Sequence, residues 1–218
     1  GDKQWRIEKR NKDDGKLVKI WTNKERGELY GCIVDGGKLY AVGWNIEGWA
    51  VLLLDLDLNH GKIAWVERGW ATSVTSDGEY LYIAGGKYYI LPEDSWGRIE
   101  KRSLGDLSQE GSPYSGDLCI AWGVRINPVT GHLWVVGTEK EGDKDVWSVE
   151  VLNRGLKRLM VLKPGIEGSA LGVVFDNEGS AYVYGTGGIV KYNKEGKEMA
   201  RATGFKARGA ACVEDKLY

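Results

Sequence analysis

The sequence is poor in the residues that build metal, disulfide and histidine-based sites. Its 218 residues include three cysteines and two histidines, and no two cysteines form a Cys-x-x-Cys pair. An odd number of cysteines without that spacing argues against a disulfide framework or a zinc site. We therefore expect buried free thiols, no structural metal and no cofactor. Glutamine and methionine are also scarce while lysine and glutamate are plentiful, which resembles the composition of thermophile proteins.

Long apolar runs and an excess of one charge are absent as well. The longest apolar run, residues 49–54, ends at Asp55, whereas a spanning helix needs roughly 18 apolar residues. The chain has 30 Lys and Arg against 31 Asp and Glu, a net charge of −1. Nucleic-acid binding requires a clustered basic excess, so we expect no nucleic-acid partner and no membrane span. The prediction is a soluble monomer, either cytoplasmic or secreted after removal of a leader.

The sequence does contain a short repeat, in which an aromatic residue, two further residues and a glycine end a β-prone run. Four copies span residues 40–43, 82–85, 134–137 and 182–185, and a fifth begins at Tyr218. The aromatic positions are 42, 52, 48 and 36 residues apart. These spacings bracket the length of a propeller blade.

The residues around each copy predict four short strands per repeat. Small and β-branched residues come before it, as in residues 31–34, and Asp-Gly or similar turns follow. Two more β-prone segments follow each copy, as in residues 49–57 and 61–68. The pattern favours an all-β fold with very low helix content, and a single β-propeller domain of four-stranded blades over residues 1–218.

The two ends of the sequence predict how such a ring closes. Residues 5–11 nearly repeat residues 97–103, which lie in a predicted third strand. The chain then begins at a third strand and ends within a second strand, so both ends contribute two strands to one composite blade. This gives five blades of about 44 residues. The alternative is a fragment of a six- or seven-bladed ring.

The fourth repeat, residues 172–192, resembles an NHL-type repeat and, more broadly, the lactonase and lyase propellers. This resemblance implies ligand or partner binding on the face where the loops between blades converge. The five-blade count also resembles the tachylectin lectins and the arabinanase-type glycosidases, although no motif of either family is present. Since a fold does not determine function, these likenesses set expectations only.

Three arginines precede glycines in loops that we expect at one mouth of the central channel, namely Arg26, Arg68 and Arg208. Converging guanidinium groups suit a carboxylate or phosphate, because the planar fork binds oxyanions with two hydrogen bonds. The alternative is ordinary surface ion pairing, since Glu25 and Glu67 precede two of them.

Four tryptophans are predicted at strand ends on the same side: Trp44, Trp70, Trp96 and Trp122. Their rings could stack on sugars or on the side chains of a partner. The alternative is a structural role, because tryptophan contributes a large buried area between blades.

Two further patterns give no catalytic or metal site. Residues 55–61 resemble a calcium loop, but the glycine comes one position late and the bidentate glutamate is missing from the twelfth position. The only histidines, His60 and His132, have no nucleophile nearby in sequence, and no G-x-S-x-G or phosphate-loop pattern occurs. We therefore predict no catalytic residues and no metal.

The leading hypothesis is a non-catalytic propeller that binds a protein or small anionic ligand at the channel mouth, through Arg26, Arg68, Arg208, Trp44, Trp70 and Trp122. One alternative is a propeller that binds or cleaves carbohydrate with its loop tryptophans. Another is a structural domain of a larger surface protein.

Overall fold

A computed structural model of the chain describes residues 4–59, 61–65, 68–87, 95–213 and 216–218, and only the backbone of Glu25 and Val213. All regular elements in these residues are β-strands. Within the same ranges there is no helix of the length and apolarity needed to cross a bilayer. The prediction of an all-β chain is confirmed.

The described strands form small antiparallel sheets. Their bounds are β1 (Gln4–Arg10), β2 (Leu17–Asp35), β3 (Lys38–Asn45), β4 (Gly48–Asp55), β5 (Lys62–Trp65), β6 (Trp70–Ser76), β7 (Tyr80–Lys87), β8 (Trp96–Ser103), β9 (Ile120–Ile126), β10 (Leu133–Glu141), β11 (Lys144–Leu152), β12 (Arg158–Leu162), β13 (Ala170–Phe175), β14 (Ala181–Tyr192), β15 (Glu198–Lys206), β16 (Cys212–Val213) and β17 (Lys216–Leu217).

The long strand β2 belongs to two units. Its residues 17–26 pair with β1, and we call these two segments the N-terminal pair. Its residues 27–35 pair with β3, which continues through β4 to β5 as sheet 1. Sheet 2 is β6-β7-β8, sheet 3 is β9 to β12, sheet 4 is β13-β14-β15, and β16 and β17 form a C-terminal pair.

Successive sheets pack face to face in chain order. The first strands make these contacts, since β2 packs on β6, β6 on β9, and β9 on β13. Buried apolar clusters fill the spaces between the sheets. The arrangement is consistent with a β-propeller-like fold. Within the described ranges no ladder joins β17 to β1, so the number of blades and their closure stay predictions.

Buried tryptophans fix two of these contacts, from the third strands of sheets 1 and 3, and a third joins β1 to sheet 1 in the same way. The indole N–H of Trp5 donates to the carbonyl of Trp44 at 3.0 Å, and that of Trp49 donates to Gly86 at 2.9 Å. Trp147 donates in the same way to Thr186 at 2.8 Å. Each acceptor directly follows the glycine of a repeat in the next sheet, so one indole both fills the contact and satisfies a backbone carbonyl.

The duplicated segment carries the same ion cluster twice. On β1, Glu8 accepts hydrogen bonds from Arg6 and Arg10, each at 2.7 Å. On β8, Glu100 accepts from Arg98 and Arg102, each at 2.8 Å. Alternate residues of a strand lie on one face, so each arginine–glutamate–arginine cluster occupies a single side of its strand.

The surroundings of the two clusters differ. The side chains of Arg98, Glu100 and Arg102 are 15%, 0% and 7% exposed, because sheet 1 covers them. Those of Arg6, Glu8 and Arg10 are 54%, 25% and 53% exposed. Hydrogen bonds from Arg10 and Arg6 lower the pKa of Glu8 below its ordinary value.

Tyr192 provides a test of packing between sheets 3 and 4. Its side chain is buried, and its hydroxyl has no hydrogen-bond partner in the part of the chain described. Replacing it with phenylalanine is expected to leave the free energy of unfolding unchanged or raise it by about 1 kcal/mol, because a buried unpaired hydroxyl costs energy. Urea denaturation measures this. A loss of more than about 1 kcal/mol would show that the hydroxyl contributes a hydrogen bond.

The same variant should also change how the stability of the chain depends on pH. Burial raises the pKa of Tyr192 to about 12, whereas an unfolded tyrosine ionises near 10. Between these values the folded state holds a proton that the unfolded state has lost, so stability falls as the pH rises. Tyr192→Phe should therefore lose less stability than the unmodified chain above pH 10.

Candidate ligand-binding cavity

A cavity of about 690 Å³ lies where the first strands of the sheets meet. Its walls come from sheets 1 to 4 and from the segment that leads into β6. They consist of Tyr30, Trp44, Asn45, Ile46, Gly48, Arg68, Gly69, Trp70, Thr72, Trp122 and Leu171.

Each sheet contributes one wall residue from the same structural position. The ladder between first and second strands skips one residue in every sheet, and the skipped residues are Tyr30, Thr72, Trp122 and Leu171. Such a β-bulge leaves the extra residue unpaired and redirects its side chain. All four belong to the cavity wall, so the repeated bulge builds a ring of side chains around one space.

Most polar groups of this wall are already satisfied within the protein. The indole N–H of Trp44 donates to the Tyr30 hydroxyl at 3.0 Å, and that of Trp122 donates to the Thr138 hydroxyl at 2.9 Å. The Thr72 hydroxyl donates to the carbonyl of Ala121 at 2.6 Å. These tryptophans therefore offer ring faces and not N–H groups to a ligand.

Two other polar side chains of the wall are held in the same way. The Tyr30 hydroxyl donates to Glu28 at 2.8 Å, and burial together with this hydrogen bond raises the pKa of Tyr30. The Asn45 carboxamide oxygen accepts from the backbone N–H groups of Glu47 and Gly48. Tyr30 stays neutral, and Asn45 serves to hold the turn before β4.

Arg68 is the charged residue of the wall. It is exposed, and within the described ranges it makes no ion pair or hydrogen bond. It directly precedes Gly69 and Trp70, so a guanidinium group and an indole lie together at the start of β6. The wall combines one cation with an aromatic and apolar surface.

The predicted site residues divide into two groups. Arg68, Trp44, Trp70 and Trp122 line the cavity. Arg26 and Arg208 are exposed and lie outside its lining. The possible ion-pair partners, the side chain of Glu25 and all of Glu67, fall outside the described residues.

Trp96, the fourth predicted loop tryptophan, is half-buried at the start of β8. The ammonium group of Lys87 lies 5.8 Å from the centre of its ring. It is not part of the cavity wall.

The register of the C-terminal pair gives Arg208 a different place in its repeat from that of Arg26 and Arg68. Ala211 pairs with Tyr218 as Ile33 pairs with Tyr40, so Arg208 corresponds to Tyr30. Arg208 therefore comes at the place in its repeat that the bulge residues hold in sheets 1 to 4, whereas Arg26 and Arg68 each come four residues before a bulge residue. The Arg-Gly dipeptide that the three arginines share does not show this difference. In each sheet the bulge residue comes directly before a small residue of the first strand, and this pattern is the sequence signal for the cavity wall.

The calcium-like segment has a structural explanation. The carboxylate of Asp55 accepts from the backbone N–H groups of Asp57 and Asn59, at 2.9 and 2.7 Å, which forms an Asx turn between β4 and β5. Asp57 pairs with Lys9 at 2.9 Å. His60 falls outside the described residues. Within those residues no cluster of three or more potential metal ligands occurs.

No family model and no curated protein matches the sequence. Solved structures do share its fold. Hydrazine synthase of Kuenenia stuttgartiensis matches with a TM-score of 0.72 and 16% identity, over 94% of this chain and 64% of that chain. A protein of unknown function from Bacteroides caccae matches with a TM-score of 0.61 and 13% identity, over 98% and 77% of the two chains. The chain thus spans less than two thirds of the hydrazine synthase chain, and the likeness concerns the fold alone.

Proposed function

We propose that the chain is a non-catalytic binding module whose central cavity takes a small anion with an apolar or aromatic body. The anionic group contacts Arg68, and the apolar body lies against Trp44, Trp70 and Trp122. A carboxylate on the surface of a partner protein has the same chemistry and fits the same site.

The carrying observation is the combination of one arginine with aromatic walls whose other polar groups are mostly occupied. A guanidinium group binds a carboxylate with charge-assisted hydrogen bonds. Ring faces contribute burial and stacking to the rest of the ligand. A sugar requires hydrogen-bonding side chains beside the stacking ring, so the tryptophan rings alone support the carbohydrate alternative less well.

The propeller architecture and its blade count belong to the same proposal. Five blades follow if β16 and β17 join β1 and residues 17–26 as one composite blade, and six or seven follow if further blades are present. In either ring, the register of Arg208 would direct it toward the axis beside the four bulge residues. The NHL-type resemblance has no family match to support it and stays a prediction, as does a structural role in a larger surface protein.

Calorimetry with phenylacetate, its neutral amide and glucose tests the ligand class. We expect phenylacetate to bind, and the amide to bind about ten times more weakly because it lacks the charge. Arg68→Ala should lower the affinity for phenylacetate by about 10- to 100-fold, whereas the control Arg26→Ala should leave it unchanged. Equal binding of acid and amide, or no effect of Arg68→Ala, contradicts the proposal. Preference for glucose supports the carbohydrate alternative.

A further inference from the structure

The outer face of the N-terminal pair repeats a surface that sheet 2 buries. Arg10 donates to the carbonyl of Gly15 at 2.9 Å, as Arg102 donates to Leu107 at 2.7 Å. The following turns close with equivalent backbone hydrogen bonds, in which Gly15 donates to Asn11 and Leu107 to Ser103. Residues 5–16 and 97–108 are therefore one structural element used twice.

In sheet 2 this element is covered by sheet 1 through three contacts. The Trp49 ring lies 6.0 Å from the guanidinium carbon of Arg98. The Tyr40 hydroxyl donates to the carbonyl of Leu104 at 2.9 Å. Lys62 donates to the carbonyl of Asp106 at 2.5 Å. The covering sheet thus provides an indole, a hydroxyl and an ammonium group.

The equivalent positions on the N-terminal pair are Arg6 and the carbonyls of Lys12 and Asp14. The opposite face of β1 is already occupied, since Trp5 and Ile7 pack on sheet 1. On the other face, the side chain of Arg6 is more than half exposed. This face also includes Ile20, which is 38% exposed and lies opposite Glu8 in the ladder. This face repeats the polar groups of the covered surface, whereas Lys12 and Gly15 stand where Leu104 and Leu107 pack against sheet 1.

Sheet 4 has a hydroxyl at the place of Tyr40, that of Tyr182, which donates to Asp176 at 3.3 Å, but it differs at the places of the indole and the lysine. Equivalent turns align the two sheets, because the side chain of Asp55 accepts from Asn59 and that of Asn193 accepts from Lys197. Trp49 comes six residues before Asp55, and the residue six places before Asn193 is Gly187. Sheet 4 therefore has a glycine where sheet 1 has the indole. No tryptophan follows Trp147 in the sequence.

The place of Lys62 is also changed in sheet 4. Lys62 lies opposite Leu53 in the ladder, and the corresponding residue opposite Lys191 is Ala200. In a second copy of the chain, the indoles of Trp5, Trp49 and Trp147 are buried and donate to backbone carbonyls. The ring of Trp96, on β8, lies beside the ammonium group of Lys87.

We propose that the outer face of the N-terminal pair binds a further four-stranded sheet, in addition to the sheets that the described residues form. That sheet carries an indole on its third strand, which lies over Arg6. A hydroxyl on its second strand and a lysine on its fourth reach the carbonyls of Lys12 and Asp14. The face is a blade-to-blade contact of a larger ring.

An extended chain tests this proposal with the protein's own repeat. Residues 27–96 are joined in front of residue 5, so that a copy of sheet 1 and of β6 and β7 precedes the N-terminal pair in the natural register. We expect amide exchange in β1 to slow by about 100-fold. Arg6→Ala should then lower the melting temperature by about 2–4 °C in the extended chain and leave the 218-residue chain unaffected.

The matched control is the extended chain with Trp49→Ala in the added copy only, in which the protection of β1 should be lost. The proposal is overturned if the added residues exchange freely while sheets 1 to 4 stay protected. It is also overturned if the unextended chain sediments as a dimer that Ile20→Asp disrupts. A disulfide that forms between Glu8→Cys and Ile189→Cys would assign the face to sheet 4 instead.

Discussion

Glu100→Gln is expected to lower the free energy of unfolding by about 3 to 5 kcal/mol. Glu100 is fully buried, and its two carboxylate oxygens accept from Arg98 and Arg102 on either side. A glutamine amide has one oxygen acceptor, so one buried guanidinium would lose its partner and both would lose their compensating charge. Denaturation in guanidinium chloride, followed by tryptophan fluorescence, measures the loss.

The chain contains a matched control for this substitution. Glu8 lies in the same five-residue sequence and accepts the same two hydrogen bonds, but its arginine partners are more than half exposed. Water solvates the arginines when Glu8→Gln removes the charge, so the change in stability should be small. If both variants lost equal stability, burial would not be the source of the effect.

The repeated fold could be predicted because packing imposes residues that are visible in the sequence. A Cβ atom at Gly85 would lie 2.1 Å from the carbonyl oxygen of Trp70 and 2.6 Å from the Trp49 ring. Glycine is therefore required where an indole from the neighbouring sheet arrives. The four repeat glycines marked four sheets, and the duplicated segment correctly placed β1 as the counterpart of β8.

The cavity was less predictable because its wall is defined by position and not by residue type. The four bulge residues are a tyrosine, a threonine, a tryptophan and a leucine, so no composition signal connects them. Burial of charge was equally hidden, since one five-residue sequence is exposed in β1 and buried in β8. Both properties depend on which sheet lies beside the segment, and local sequence does not contain that information.

Trp49→Ala should destabilise the chain by about 3 to 5 kcal/mol. Its side chain is 1% exposed, and it packs on Gly69 and Gly85 while its N–H donates to Gly86. Removal leaves a cavity between sheets 1 and 2 and an unpaired backbone carbonyl. Trp49→Phe keeps part of the apolar contact and loses the hydrogen bond, so its cost should be smaller, about 1 to 3 kcal/mol.

Trp44→Ala is the matched control. The Trp44 ring is half-buried and lines the cavity, so a role in ligand binding predicts little effect of its removal on stability. We expect a loss of less than about 1 kcal/mol, with ligand affinity reduced instead. A larger loss of stability in Trp44→Ala than in Trp49→Ala would mean that the cavity wall, and not the third-strand indole, holds the sheets together.

The contact of Trp49 with Arg98 gives this prediction a second measurement. The guanidinium carbon lies 6.0 Å from the ring centre, within the range of a cation–π contact. In a double-mutant cycle, Trp49→Ala and Arg98→Ala should be non-additive by about 0.5 to 3 kcal/mol. Trp49→Ala with Arg6→Ala should be additive, because Arg6 lies on the outer face of the N-terminal pair. Additivity in both pairs would show that the indole stabilises sheet 2 through its apolar area and its hydrogen bond alone. The buried arginine–glutamate–arginine cluster of β8 would then be independent of the ring that covers it.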